Sequence, residues 1–158
     1  MEQKKILFVC TGNICRSPMA ESVARTLAEK QGLARRFEFD SAGTQGYHAG
    51  APPDPRAVAA AARRGYDLNR LRARQVAKQD FFYFDHVLAM DSEHLKILQR
   101  LCPPEHAQKL GLFLSYVDSP HENEVPDPYY GGPEGFEMVL TLVEQAATQM
   151  IRRLSAVN

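Results

Sequence analysis

Short apolar runs alternate with helix-like stretches along this chain. Ile6-Leu7-Phe8-Val9 is unbroken and rich in strand formers, which predicts a strand buried on both faces, as in a parallel sheet. A glycine-containing turn follows, and Ser17-Pro18 opens a helical pattern. Met19, Val23 and Leu27 recur at four-residue spacing, with Ala20, Ala24 and Ala28 beside them, so one face is apolar. Pro18 suits the first helical turn, Glu21 the positive end of the helix dipole, and Gly32 the stop.

The pattern then repeats. Phe37 to Ser41 predicts a second strand, leading into Ala42-Gly43. Pro53-Asp54-Pro55 opens an alanine-rich helix that Gly65 closes. Asp80 caps a short turn, and His86 to Met90 forms a third strand. Asp91 or Ser92 caps the next helix, through about Arg100. Gly111 to Tyr116 predicts a fourth strand. After a loop over 117–132, Phe136, Val139, Leu140, Val143, Ala147, Met150, Ile151 and Leu154 mark one side of a long amphipathic helix. Strands alternating with helices imply an α/β fold with three layers, Rossmann-like, in which a four-stranded central parallel sheet is flanked by helices on both faces. Ligands of such sheets bind beyond the carboxyl ends of the strands, an edge that collects Cys10, Ser41 and Asp91.

Composition narrows the class. At 158 residues, 44% apolar and 24% charged, the chain reads as a single domain over 1–158 with an ordinary core. Lys+Arg and Asp+Glu each total 19, and that balance speaks against a nucleic-acid or membrane-surface binder. Charge is uneven: Arg63, Arg64, Arg70, Arg72, Arg74 and Lys78 form a basic stretch, and 118–137 is acidic. These are either two solvated faces or a docking surface near an anionic substrate. No stretch approaches a membrane helix, and the run after Lys5 is too short for a signal peptide. Three cysteines give no disulfide framework, so the expected setting is reducing and cytoplasmic.

The chemistry concentrates in Cys10-Thr11-Gly12-Asn13-Ile14-Cys15-Arg16-Ser17, between the first strand and first helix. A loop that wraps into a helix start turns backbone N–H groups inward and makes an anion site. Gly12 frees the backbone, and Asn13 tolerates the left-handed conformation. Arg16 can fork two donors onto phosphate oxygens. A thiol at the entrance of such a loop feels the same field, which suits Cys10 to attack phosphorus. A cysteine and an arginine flanking five residues mean little alone; the strand before and the Ser-Pro helix after give them weight. The loop lacks the Gly-Lys-Ser/Thr ending of a nucleotide site. Asp127, in Val125-Pro126-Asp127-Pro128-Tyr129-Tyr130, reads alone as a surface turn. Paired with the cysteine loop it is the candidate proton donor for a leaving oxygen.

These residues resemble the low-molecular-weight protein tyrosine phosphatases over nearly the whole chain. Val9 to Glu21 is similar to that family's phosphate loop and first helix. Asp40-Ser41-Ala42-Gly43-Thr44, Pro52-Pro53-Asp54, Ala73-Arg74-Gln75-Val76, Asp80-Phe81, Phe84-Asp85, Ala89-Met90-Asp91 and Asp127-Pro128-Tyr129-Tyr130 match in order. The resemblance implies hydrolysis of phosphotyrosine in a protein or peptide, with inorganic phosphate as product. Cys10 would form a phosphocysteine, Arg16 and the amides of Thr11, Gly12, Asn13, Ile14 and Cys15 would hold the phosphate, and Asp127 would act as acid and then base. Ser17 would hydrogen-bond the sulfur, and Asn13 with Ser41 would keep the loop open. Tyr47, Tyr129 and Tyr130 would wall the pocket. Cys15 would be either a reversible disulfide partner for Cys10 or a buried small residue. No metal or cofactor is implied, and Cys102 has no matching role.

Two positions depart from the pattern: Leu71, where a histidine is frequent, and His94, where an asparagine is common. Both bear on the support of the site and neither removes a reacting group. Competing readings are a protein arginine phosphatase on the same scaffold, since Thr11 is also found there, and an arsenate reductase, which needs a later redox cysteine pair. From other classes come a non-catalytic phosphopeptide- or anion-binding module and a zinc site on Cys10 and Cys15, the latter lacking two further ligands.

Overall fold

A computed structural model describes residues 3–117, 124–129 and 131–156. Its sheet has four parallel strands in the order β2-β1-β3-β4, with β1 at Lys4–Cys10, β2 at Phe37–Gly43, β3 at His86–Ala89 and β4 at Leu110–Leu112. The unbroken apolar run of β1 reflects its central place. Ile6, Phe8 and Cys10 join the core on one face, and Leu7 and Val9 join the other. The first face is covered by α1 (Arg16–Lys30), α2 (Pro55–Arg63) and α5 (Pro133–Ala156); the second carries α3 (Lys78–Tyr83) and α4 (Ser92–Leu101).

Aromatic packing dominates the first face. The fully buried Phe8 ring meets Phe113 edge-on at 5.0 Å and Phe39 at 6.1 Å. Alanines at 20, 24 and 28 keep the buried side of α1 thin, so it packs closely on α5. Of the apolar stripe expected on α5, Phe136, Val139, Leu140, Val143, Ala147, Met150 and Ile151 are buried, and Leu154 is partly buried.

Local signals set the element ends. Asp54 caps α2 by accepting from the Arg56 amide at 2.8 Å, and Asp91 caps α4 by accepting from the His94 amide at 3.0 Å. Gly32 and Gly65 follow α1 and α2 with φ of 73° and 89°, the left-handed stop that glycine adopts without strain.

Three expectations are corrected. The fourth strand ends at Leu112, and Phe113–Tyr116 turns into a 3-10 helix that buries Phe113 and Leu114 beneath α5. An apolar run without alternation does not separate those two outcomes. Asp80 sits inside a six-residue helix, where its carboxylate reaches back to the Ala77 amide at 2.7 Å. Glu21 lies past the first turn of α1, which starts at Arg16 and holds no acidic residue there. Its carboxylate faces Ser41 and Arg25 instead.

Because β1 lies between β2 and β3, the chain leaves β1 toward one neighbour and returns from β2 to the other. The crevice at such a switch point opens at the carboxyl end of β1, where Cys10 ends the strand.

Candidate active site

Residues 11–15 form the loop between β1 and α1. No side chain caps this end of α1, so the first-turn N–H groups remain for the loop and whatever it encloses. Asn13 takes φ 59°, the left-handed conformation expected of it. The Gly12 expectation changes in kind. Its φ is not positive, and what requires glycine is space: a Cβ there would stand 2.8 Å from His48 Cδ2. At Gly43 a Cβ would meet the Thr11 carbonyl oxygen at 2.6 Å, so β2 can lie against the loop only without a side chain.

Asn13 is the loop's anchor. Its Nδ2 donates to Ser17 Oγ at 2.8 Å and Ser41 Oγ at 2.9 Å, and its Oδ1 accepts from the Arg74 amide at 3.0 Å. Ser41 donates to Glu21 Oε1 at 2.7 Å, and Arg25 closes on Glu21 Oε2 at 2.6 Å. Burial pushes the Glu21 carboxyl up from its usual range, against the pull of Ser41 and Arg25. Ser17 Oγ lies 3.0 Å from Cys10 Sγ. The support is thus complete although Leu71 stands where a histidine is frequent.

Arg16 is buried and held on one edge. Nη1 donates to Asp91 Oδ2 at 2.8 Å and to the Val125 carbonyl at 3.1 Å. Nη2 faces Asp127 Oδ2 at 3.7 Å, Thr11 Oγ1 at 3.5 Å and His94 Nε2 at 3.4 Å. Burial pushes Asp91 up, but the His94 amide, the His94 ring and Arg16 outweigh it and hold the carboxyl below its ordinary range. Asp127 is 46% exposed, and its Oδ1 accepts from the Tyr129 amide at 2.9 Å, which fixes the turn.

A cavity of about 370 Å³ opens over the loop. Cys10, Thr11, Gly12, Ile14, Cys15, Arg16, Asp127, Tyr47 and Tyr129 line it, together with His48. Of the other expected residues, Asn13, Ser17 and Ser41 stand behind the loop, and Tyr130 lies outside the described residues. Tyr47 is 67% exposed and packs its ring 4.6 Å from that of His48; the Arg56 guanidinium lies 5.3 Å from the Tyr129 ring centre. Cys15 is a buried free thiol whose ionisation is pushed up by burial, then by Asp54 and Cys10. Among the described residues no group of three or more His, Cys, Asp or Glu gathers as a metal site requires.

His48 and the Val125 carbonyl were not foreseen; neither belongs to a pattern readable from spacing. Asp91 was placed at this edge without a role, and its position directly after a strand was the available signal. Half of the basic stretch is spent on pairs: Arg63 and Arg64 tie α2 to Glu137 and Glu144 on α5, and Arg74 bridges Asp40 and Asp80. Among the described residues no helix is long and apolar enough to cross a membrane.

Residues 5–157 match the family model described as low molecular weight phosphotyrosine protein phosphatase. A low molecular weight protein-tyrosine-phosphatase of Streptomyces coelicolor is 48% identical over 150 residues, covering 93% of this chain and 91% of that one. The crystal structure of a protein tyrosine phosphatase from Entamoeba histolytica superposes with a TM-score of 0.94 at 38% identity, over 98% of each chain. A Drosophila arginine phosphatase shares the fold with a TM-score of 0.91 at 29% identity, over 98% of this chain and 99% of that one. The loop geometry and these likenesses agree: the chain belongs to the low molecular weight phosphotyrosine protein phosphatase family.

Proposed function

We propose that this chain, as one domain, hydrolyses phosphotyrosine monoesters in proteins through a phosphocysteine on Cys10. The observation that carries the reading is the convergence of the Cys10 sulfur, the Arg16 guanidinium and the Asp127 carboxyl on one cavity. Cys10 Sγ attacks phosphorus as Asp127 gives its proton to the departing phenolic oxygen; Asp127 then takes a proton from the water that releases inorganic phosphate. Arg16 and the amides of residues 11–15 stabilise the charge on the equatorial oxygens. Ser17 donates to the sulfur and so eases its departure in the second step. Tyr47 and Tyr129 support an aromatic leaving group, since their rings flank the opening. Cys15, beside Cys10 in the same cavity, suits capture of an oxidised Cys10: a sulfenic acid and the Cys15 thiol would give a disulfide and water. A reducing cytoplasm fits this use of Cys10 and Cys15 and leaves Cys102 a free thiol.

The test compares phosphotyrosine and phosphoarginine peptides with wild-type protein, Cys10→Ser and Asp127→Ala. Wild type is expected to prefer phosphotyrosine, and Cys10→Ser to bind phosphate analogues without turnover. Asp127→Ala is expected to slow phosphotyrosine far more than p-nitrophenyl phosphate, whose leaving group needs little proton transfer. Preference for phosphoarginine would overturn the substrate, and turnover by Cys10→Ser would overturn the nucleophile.

A further inference from the structure

The second residue of the loop, Thr11, does not stand alone. Its Oγ1 lies 2.7 Å from Nε2 of His94, an imidazole in the first turn of α4 that is only 3% exposed. The same Nε2 lies 3.4 Å from Arg16 Nη2, and Thr11 Oγ1 lies 3.5 Å from that nitrogen. Thr11 and His94 thus meet on the Nη2 edge of the guanidinium, beside Asp127 Oδ2 at 3.7 Å, the edge that Asp91 and Val125 do not hold.

The donor inventory fixes the direction of these contacts. A guanidinium nitrogen can only donate, so it faces a lone pair on Nε2 and not an N–H. The other ring nitrogen, Nδ1, is buried and makes no hydrogen bond; it lies 3.1 Å from Asp91 Oδ1, off the bonding direction. A proton on Nδ1 is attracted by that carboxylate, whereas a lone pair there is repelled. The neutral ring therefore carries its proton on Nδ1 and accepts through Nε2. Thr11 then has its one hydroxyl hydrogen committed to His94, leaving oxygen lone pairs for Arg16.

We propose that His94 is a positioning residue for phosphate capture: its unprotonated Nε2 orients the Thr11 hydroxyl, and the pair holds the Nη2 edge of Arg16 in place for the phosphate oxygens. This rests on the phosphatase reading and adds two residues to it. Neither touches the reacting sulfur, so removing the pair weakens phosphate binding more than the chemical step, in which Arg16 also takes part.

The experiment is a double-mutant cycle of His94→Leu and Thr11→Val. Inorganic phosphate binding is measured by calorimetry, and kcat and KM with a phosphotyrosine peptide. Each single change is expected to weaken phosphate binding and raise KM by about three- to tenfold, the size of one lost hydrogen bond, with a smaller fall in kcat. The double variant is expected to be no worse than the weaker single, because both remove one unit. His94→Gln, whose Oε1 can reach the position of Nε2, is expected to restore binding to within about twofold, and Thr11→Ser to retain it. The proposal is overturned if the two fold-changes multiply, if His94→Gln binds phosphate as poorly as His94→Leu, or if only kcat falls. Should His94→Leu fail to fold, Thr11→Val against Thr11→Ser decides: equal phosphate affinity overturns it. Calorimetry needs no turnover, so a chain that binds phosphate without hydrolysing phosphotyrosine would defeat the catalytic reading alone. Independent fold-changes in an active enzyme would defeat only the role of His94.

Discussion

Acid should destabilise this protein through one imidazole. Burial first, and the Arg16 guanidinium second, pull His94 down from an ordinary 6.5 to about 4. Asp91, Asp127 and Glu124 oppose that shift without cancelling it. Between those two values the unfolded chain binds the proton and the folded chain does not, so stability rises with pH across the window and is lost as acid is added. Integrating from about pH 7 to about pH 4.5 gives a loss on the order of 2 to 3 kcal/mol from this residue alone. Other groups are shifted too, among them His86, pushed down chiefly by burial, and Glu21, pushed up by it. They are common to wild type and His94→Gln, so the difference between the two isolates the imidazole. Asp91 is held below the usual carboxylate range and stays charged through the window in wild type. The assay is urea unfolding of both proteins at the two pH values, where the wild-type midpoint should fall further by about 1 M. Equal losses in the two proteins would refute a neutral, buried His94 and with it the direction of the Thr11 hydrogen bond.

Gly43→Ala should cost about 1 to 3 kcal/mol in thermal unfolding, because its Cβ would meet the backbone of Thr11 and Asn13 at 2.6 and 3.1 Å and neither can yield cheaply. Gly111→Ala, whose nearest neighbour is a Leu88 methyl at 3.8 Å, should stay within about 0.5 kcal/mol. Asn13→Ala should lose about 2 to 4 kcal/mol, since it strands Ser17, Ser41 and the Arg74 amide and puts alanine at φ 59°; kcat/KM should fall with it, and an unchanged melting temperature would contradict the anchor role. After a peroxide pulse, wild-type activity should return on adding thiol, whereas Cys15→Ser should recover less, because no neighbouring thiol intercepts oxidised Cys10 before it oxidises further; equal recovery would mean Cys15 is a packing residue.

The fold was legible where one force dominates. The run Ile6 to Val9 has no polar position, and only a strand covered on both faces accepts that, which is where β1 lies. Asp54, Asp91, Gly32 and Gly65 mark ends because caps and left-handed stops are decided by a few neighbouring residues. Phe113-Leu114 was misread as strand because the choice depends on α5, a helix that starts only at Pro133, offering a surface to bury those side chains. The site divides the same way. Cys10 to Ser17 is contiguous and could be read, and Asp127 could be read only by pairing it with that loop. His48, Val125 and the part played by His94 could not, because each acts through a contact between segments distant in sequence, and a histidine of unremarkable spacing carries no mark of what it will face.

Hydrogen inventory also explains how the shape of the cradle is fixed. Arg25 has only donors and spends one on Glu21, which as a carboxylate has only acceptors. Ser41 must then direct its hydroxyl hydrogen to Glu21, at 2.7 Å, and its oxygen is left to accept from Asn13. The second Asn13 N–H goes to Ser17, whose oxygen is thereby an acceptor as well. One hydrogen remains on Ser17. The Cys10 sulfur at 3.0 Å is better placed to take it than the Ala42 carbonyl at 3.5 Å. Polarity therefore runs one way, from a half-buried ion pair on α1, through β2 and the left-handed residue of the loop, to the Cys10 sulfur. A side chain that could both donate and accept at Glu21 would release that constraint, and a buried carboxylate does not. Placing an ion there costs desolvation, which its raised ionisation records, and what the cost secures is a hydroxyl aimed at sulfur.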